Sequence, residues 1–95
     1  RRTARVRVAH MLCELFLRYR NVGLAEDMTM PFHLTQTHLG DALGLSVVHV
    51  NRVMKILRRD GVIGIASRRL TILDWPGLAR IGDIDDAYLH LTPGS

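Results

Sequence analysis

Two glycines four residues apart, Gly40 and Gly44, with Ser46 two residues after the second, constrain this chain more than any other feature. They sit in a stretch running from Leu34 to Gly61 that reads as two helices meeting at a tight turn. Thr35 is placed to cap the first helix, because its hydroxyl accepts from a free amide of the first turn. Leu39, Ala42 and Leu43 then fall on one face. Gly44 ends the helix, since glycine takes a left-handed conformation at no steric cost. Leu45 plugs the corner, and Ser46 caps a second helix whose apolar positions are Val50, Val53, Met54 and Leu57. A side chain at Gly40 would hold the two axes apart where they cross. This spacing is that of a helix-turn-helix. A plain helical hairpin is the rival, because it needs the same apolar residues and the same glycine at the corner.

The residues after Gly61 separate the two readings. Val62-Ile63-Gly64-Ile65 is a short apolar strand, Ala66-Ser67-Arg68-Arg69 a polar basic turn, and Leu70-Thr71-Ile72-Leu73 a second alternating strand. A bare helical hairpin does not predict a basic β-hairpin after it. The expected fold is mainly α with a small antiparallel β-sheet (α+β), a winged helix-turn-helix. Upstream, Val8, Leu12, Leu15, Phe16 and Tyr19 recur at helical steps and predict a helix from Thr3 to about Asn21. Gly23 to Thr29 is a polar connection. Met30 to Leu34 reads as a strand, with Pro31 confining it to an edge or a strand start. Downstream, Asp74-Trp75-Pro76 predicts a capped helix with proline in its first turn, closed by Gly82. Asp85 to Leu91 is expected to form one more turn. Trp75, Leu78, Ile81, Tyr88 and Leu91 are expected to cover the core; an oligomer contact is the alternative.

The 95 residues are read as one domain, with residues 74–95 as a C-terminal helical extension. At 47% hydrophobic residues the chain has enough apolar surface to escape disorder. The formal charge of +4 suits a polyanionic partner, and its distribution says more. Arg1, Arg2, Arg5 and Arg7 crowd the start; Arg52, Lys55, Arg58 and Arg59 line the second hairpin helix; Arg68 and Arg69 sit on the wing. The acids Asp74, Asp83, Asp85 and Asp86 gather at the other end. Cys13 is the single cysteine, which excludes an intrachain disulfide and fits a buried thiol in a reducing cytoplasm. No apolar run approaches the ~18 residues of a membrane span. The Arg1-Arg2 start without an initiator methionine leads us to expect the C-terminal piece of a longer protein.

A helix laid in the DNA major groove reads bases with the outward residues of its first turns. In a recognition helix over residues 46–60 these are Val47, Val48, His49, Asn51, Arg52 and Lys55. The planar fork of Arg52 matches the two acceptors of guanine; a solvated or phosphate-bound arginine is the alternative. Asn51 bonds adenine or faces phosphate. Val47 and Val48 read thymine methyls by contact, unless one of them packs inward. His49, Lys55, Arg58, and Arg68 and Arg69 on the wing at residues 66–69, suit the phosphate backbone, as does Arg5. For Arg58 and Arg59 a solvated helix face is the competing reading. Gln36 and Thr37, in the first turn of the first hairpin helix, meet phosphate where free amides favour anions, and the Ser46 hydroxyl is placed to do the same.

Catalysis finds no support. Ser46, His49 and Asp60 lack a third group to hold a base, and no elbow or oxyanion loop is evident. The histidines His10, His33, His38, His49 and His90 show no metal-ligand spacing.

With these residues in view, the chain resembles the C-terminal DNA-binding domain of the Crp/Fnr family of bacterial transcription regulators. The likeness rests on Arg7-Val8-Ala9, the Thr35 start, the run Leu39-Gly40-Asp41-Ala42-Leu43-Gly44-Leu45-Ser46, Val50, Arg52, and Leu57-Arg58-Arg59-Asp60-Gly61-Val62-Ile63. It implies a cytoplasmic homodimer on two-fold-symmetric double-stranded DNA, with RNA polymerase as a further candidate partner. It also implies no cofactor in this domain. A cyclic nucleotide or other effector would bind an N-terminal domain, which a dimerisation helix would accompany. Arg52 matches the family's base-reading arginine. Two departures stand out. Val47 and Val48 replace the charged pair many members carry. His38 and His49 stand where the family often has the glutamates of capping boxes, so the reciprocal half of each box is expected to be lost. A winged helix used only for protein contacts is the alternative function; it would require an apolar or acidic recognition face.

Overall fold

A computed structural model describes residues 2–84. The order of elements is α1 (Ala4–Asn21), β1 (Thr29–Pro31), α2 (Gln36–Leu43), α3 (Val47–Arg59), β2 (Ile63–Ala66), β3 (Arg69–Ile72) and α4 (Trp75–Ile81). This is the expected mainly α fold with a small sheet. The turn expected over Asp85 to Leu91, with Tyr88 and Leu91, lies outside the described residues.

Each helix starts where a side chain accepts from an otherwise orphaned amide. Thr3 accepts from Val6 N, Thr35 from His38 N, Ser46 from His49 N and Asp74 from Gly77 N. Gly44 closes α2 in the left-handed conformation, at φ 66°. One expectation about caps is corrected. His38 does complete a capping box: its Nδ1 accepts from Thr35 N at 3.4 Å while its own amide donates to Thr35 Oγ1 at 3.1 Å. An imidazole with a bare Nδ1 supplies the acceptor that a glutamate would.

The core is one cluster beneath α1, α3, α4 and the sheet. From α1 it takes Val8, Ala9, Leu12, Cys13 and Phe16, while Leu15 and Tyr19 stay at its margin. From α3 it takes the four expected positions, Val50, Val53, Met54 and Leu57. The α2 face is corrected: Leu39 and Gly40 are buried and Leu43 half-buried, whereas Ala42 is exposed. The short α2 meets its neighbours along the Leu39–Leu43 row, and Gly40 beside that row admits the turn backbone. Trp75 and Leu78 are buried as expected, and the Trp75 ring sits 5.9 Å from that of Phe16 in a tilted contact. Such aromatic pairs contribute about 0.5–1.5 kcal/mol beyond burial.

The sheet is antiparallel in the order β1-β3-β2. β1 is an edge strand, as Pro31 requires, but it spans Thr29–Pro31 rather than residues 30–34, and proline ends it. The wing turn is tighter than expected. Ala66 pairs with Arg69, so only Ser67 and Arg68 turn the chain. Both take positive φ, 51° and 59°. Two consecutive left-handed residues match the right-handed twist of a two-residue hairpin. The outer residues Val62 and Leu73 fall outside the strands, and Leu73 is exposed.

Candidate nucleic-acid interface

The amphipathic character of α3 makes the site. Its buried stripe faces the core. The opposite side carries Val47, Val48, Arg52, Lys55, Arg58 and Arg59, all exposed. From Val47 to Arg59 there is no acidic residue. Val48, Arg52, Lys55 and Arg59 follow one another at the three- and four-residue steps that align side chains on one face.

The arginines divide by what they touch. Arg2 pairs with Asp83 at 3.5 Å, and Arg59 pairs with Asp60 at 3.4 Å. Arg7 donates from its guanidinium to the backbone carbonyl of Leu43 at the end of α2. A cation is favoured there by the negative end of the helix. Arg52, Lys55, Arg58, Arg68 and Arg69 have no carboxylate partner among the described residues. Unpaired cations on one surface attract an external anion without first breaking an internal bond.

The fold gathers several candidate residues that lie apart in sequence. Gln36, Arg58 and Arg68 line one open groove of about 350 Å³, with Leu39 and Met54 beside them. This groove lies between the start of α2, the later turns of α3 and the wing. Thr37, Ser46 and His49 are exposed at the starts of the two helices. Ser46 Oγ accepts from His49 N at 3.1 Å, which leaves its own hydrogen available to a further acceptor. Arg69 is exposed beside Arg68 at the tip of the wing. Arg5 is exposed on α1 and does not line this groove.

Asn51 is the residue whose surroundings were not foreseen. It is half-buried, and its Nδ2 donates to Gln36 Oε1 at 3.0 Å. The bond links the second turn of α3 to the first residue of α2 across fifteen positions of sequence. Only the mutual placement of the two helices reveals it. The Arg7 bond to Leu43 was missed for the same reason. Away from this surface, burial and then the nearby charge of Glu14 push the Cys13 thiol up to about 12. That thiol is inert in the core and takes no part in the site.

A helix-turn-helix with an antiparallel wing, its second helix exposing cations, defines the class: this is a winged helix-turn-helix domain. The Crp-like helix-turn-helix domain matches residues 6–81, and the chain belongs to that family, the Crp/Fnr group of transcription regulators. Over 76 residues it is 36% identical to the transcriptional activator protein FnrL of Cereibacter sphaeroides, spanning 77% of this chain and 31% of the relative. Among solved structures it is similar to FixK2 from Bradyrhizobium japonicum, with TM-score 0.69 and 29% identity over 90% of this chain and 39% of that one. It is also similar to TTHB099, a CRP-family transcriptional regulator from Thermus thermophilus, with TM-score 0.67 and 26% identity. That match covers 87% of this chain and 42% of the other. The chain thus spans about a third of the length of the curated relative. No described helix is long and apolar enough to cross a membrane.

Proposed function

We propose that this domain binds double-stranded DNA in a sequence-specific way, with α3 in the major groove and the wing at residues 66–69 on the backbone. The observation that carries the reading is the two-sidedness of α3. One face is sealed into the core, and the other offers base-reading groups and unpaired cations without a single carboxylate. Val47, Val48, Asn51 and Arg52 read bases: the valines by contact with thymine methyls, Arg52 through the two acceptors of guanine. Arg5, Thr37, Ser46, His49, Lys55, Arg58, Arg68 and Arg69 hold phosphates. The relative FnrL, a transcriptional activator, supports a regulatory role. On this reading the whole protein is a cytoplasmic homodimer on a two-fold-symmetric site, with RNA polymerase as a further partner. The domain itself takes no cofactor.

Titration of a duplex with the protein at several salt concentrations tests this. Arg5, Lys55, Arg58, Arg68 and Arg69 at phosphates give a slope of log K against log salt of about −4 to −5 per bound chain. A flat response contradicts it. The second reading, a protein-contact module, is favoured by one observation: Val47 and Val48 are 45% and 66% exposed. Lys55 and the lack of any Phe, Tyr or Trp from Val47 to Arg59 oppose it, because protein interfaces are depleted of lysine and enriched in aromatic residues.

A further inference from the structure

The bond between Asn51 Nδ2 and Gln36 Oε1 has a consequence for what Asn51 can read. The terminal torsion of an asparagine is broad and roughly two-fold, so a free carboxamide offers its oxygen and its nitrogen to a groove almost alike. Here Gln36 couples the two amides: its Oε1 faces Asn51, so a flip of Asn51 alone would set two acceptors against each other. The bond is partly buried, so water competes with it less than at an open surface.

An asparagine amide has two hydrogens and an acceptor oxygen. Gln36 takes one hydrogen. What is left, one hydrogen and Oδ1, is the complement of adenine in the major groove, which offers the N6 donor beside the N7 acceptor. Guanine offers two acceptors there and thymine one, so neither satisfies both remaining groups. We propose that Gln36 is a positioning residue for specificity: by holding the Asn51 carboxamide it makes Asn51 a reader of adenine. This rests on α3 being the major-groove helix. It gives Gln36 a role different in kind from a phosphate contact, because a phosphate contact fixes register and carries no sequence information.

The two roles lead to different data. The experiment measures the affinity of the intact protein for its selected duplex and for all single base-pair variants of it, at two salt concentrations. Asn51→Ala is expected to remove a preference of about tenfold or more for adenine at one position. Gln36→Leu is expected to flatten that same position and to leave the Arg52 position sharp. The double variant should flatten it no further. Gln36→Glu keeps the acceptor, so it should retain the adenine preference while weakening every duplex through repulsion of phosphate. Thermal midpoints measured alongside show that the compared proteins are folded. Equal weakening of all duplexes by Gln36→Leu would overturn the proposal and leave Gln36 a phosphate contact; Gln36 is uncharged, so the salt slope stays the same in either case. A wild-type protein with no preference at any position would overturn the DNA reading itself. Sharp discrimination everywhere except at the Asn51 position would overturn this inference alone.

Discussion

A Cβ added to Gly40 would lie 2.5 Å from the carbonyl oxygen of Leu45. The same corner is tied from the other side, since Leu45 N donates to Gly40 O at 2.8 Å. The helix-turn-helix therefore closes through backbone against backbone, and a backbone carbonyl has no rotamer by which to move aside. Gly40→Leu is expected to destabilise the domain by about 3 kcal/mol through overpacking. Even Gly40→Ala should cost about 1–2 kcal/mol by the same clash. Thermal denaturation checks both, and an unchanged midpoint would mean that the two helices meet elsewhere.

The wing tip makes a prediction of opposite signs. Ser67 and Arg68 occupy left-handed backbone that favours glycine. Arg68→Gly should raise stability by about 1 kcal/mol. It should also remove one phosphate contact and make the salt slope shallower by about one. Parallel melting and binding titrations read the two effects. A loss of stability would show that the Arg68 side chain supports the fold.

Arg52 and Lys55 stand one turn apart on the exposed face of α3, yet their substitutions should differ in kind. Arg52→Ala is expected to relax preference at one G·C pair, at a cost of about 1–3 kcal/mol. Lys55→Ala should weaken all sequences evenly and reduce the salt slope by about one. Affinities for a set of single base-pair variants separate the outcomes. Uniform weakening by both would assign Arg52 to the backbone.

Cys13 gives a pH dependence whose sign follows from its environment. Its folded value of about 12 lies above the ordinary 9.0, because burial disfavours the thiolate. A group raised on folding contributes its full stability below the unfolded value and loses it as pH rises toward the folded one. Stability should therefore fall from about pH 9 upward, and Cys13→Ala should lessen that fall. At pH 8 the thiol should resist an aromatic disulfide reagent in the native protein and react promptly in denaturant. Rapid native reaction would contradict its burial.

Features set by neighbours in sequence were legible before the fold was known. Thr35, Ser46 and Asp74 cap helices because the amides they satisfy lie three residues on. Gly44 turns left-handed because a helix must end there. The α3 stripe was plain because thirteen residues display the helical period several times. The shorter α2 does not, and Ala42, expected on the buried face, is exposed. A capping box is usually recognised in sequence by glutamate, although the geometry asks only for the acceptor that His38 Nδ1 supplies. The Gln36–Asn51 and Arg7–Leu43 bonds join residues fifteen and thirty-six positions apart, and no local pattern announces them. The exposed cations could be counted in the sequence, but which of them the fold occupies could not: Arg59 is held by Asp60 and Arg52 is not.

The measurement that bears most directly on the central claim is selection of bound sites from a random duplex pool with the intact protein, at two salt concentrations. The expected result is a two-fold-symmetric site whose half carries a G·C pair lost on Arg52→Ala, with affinity falling steeply as salt rises. Enrichment of no sequence at either salt, with any small-molecule effector supplied, would contradict it and favour a winged helix that docks on protein.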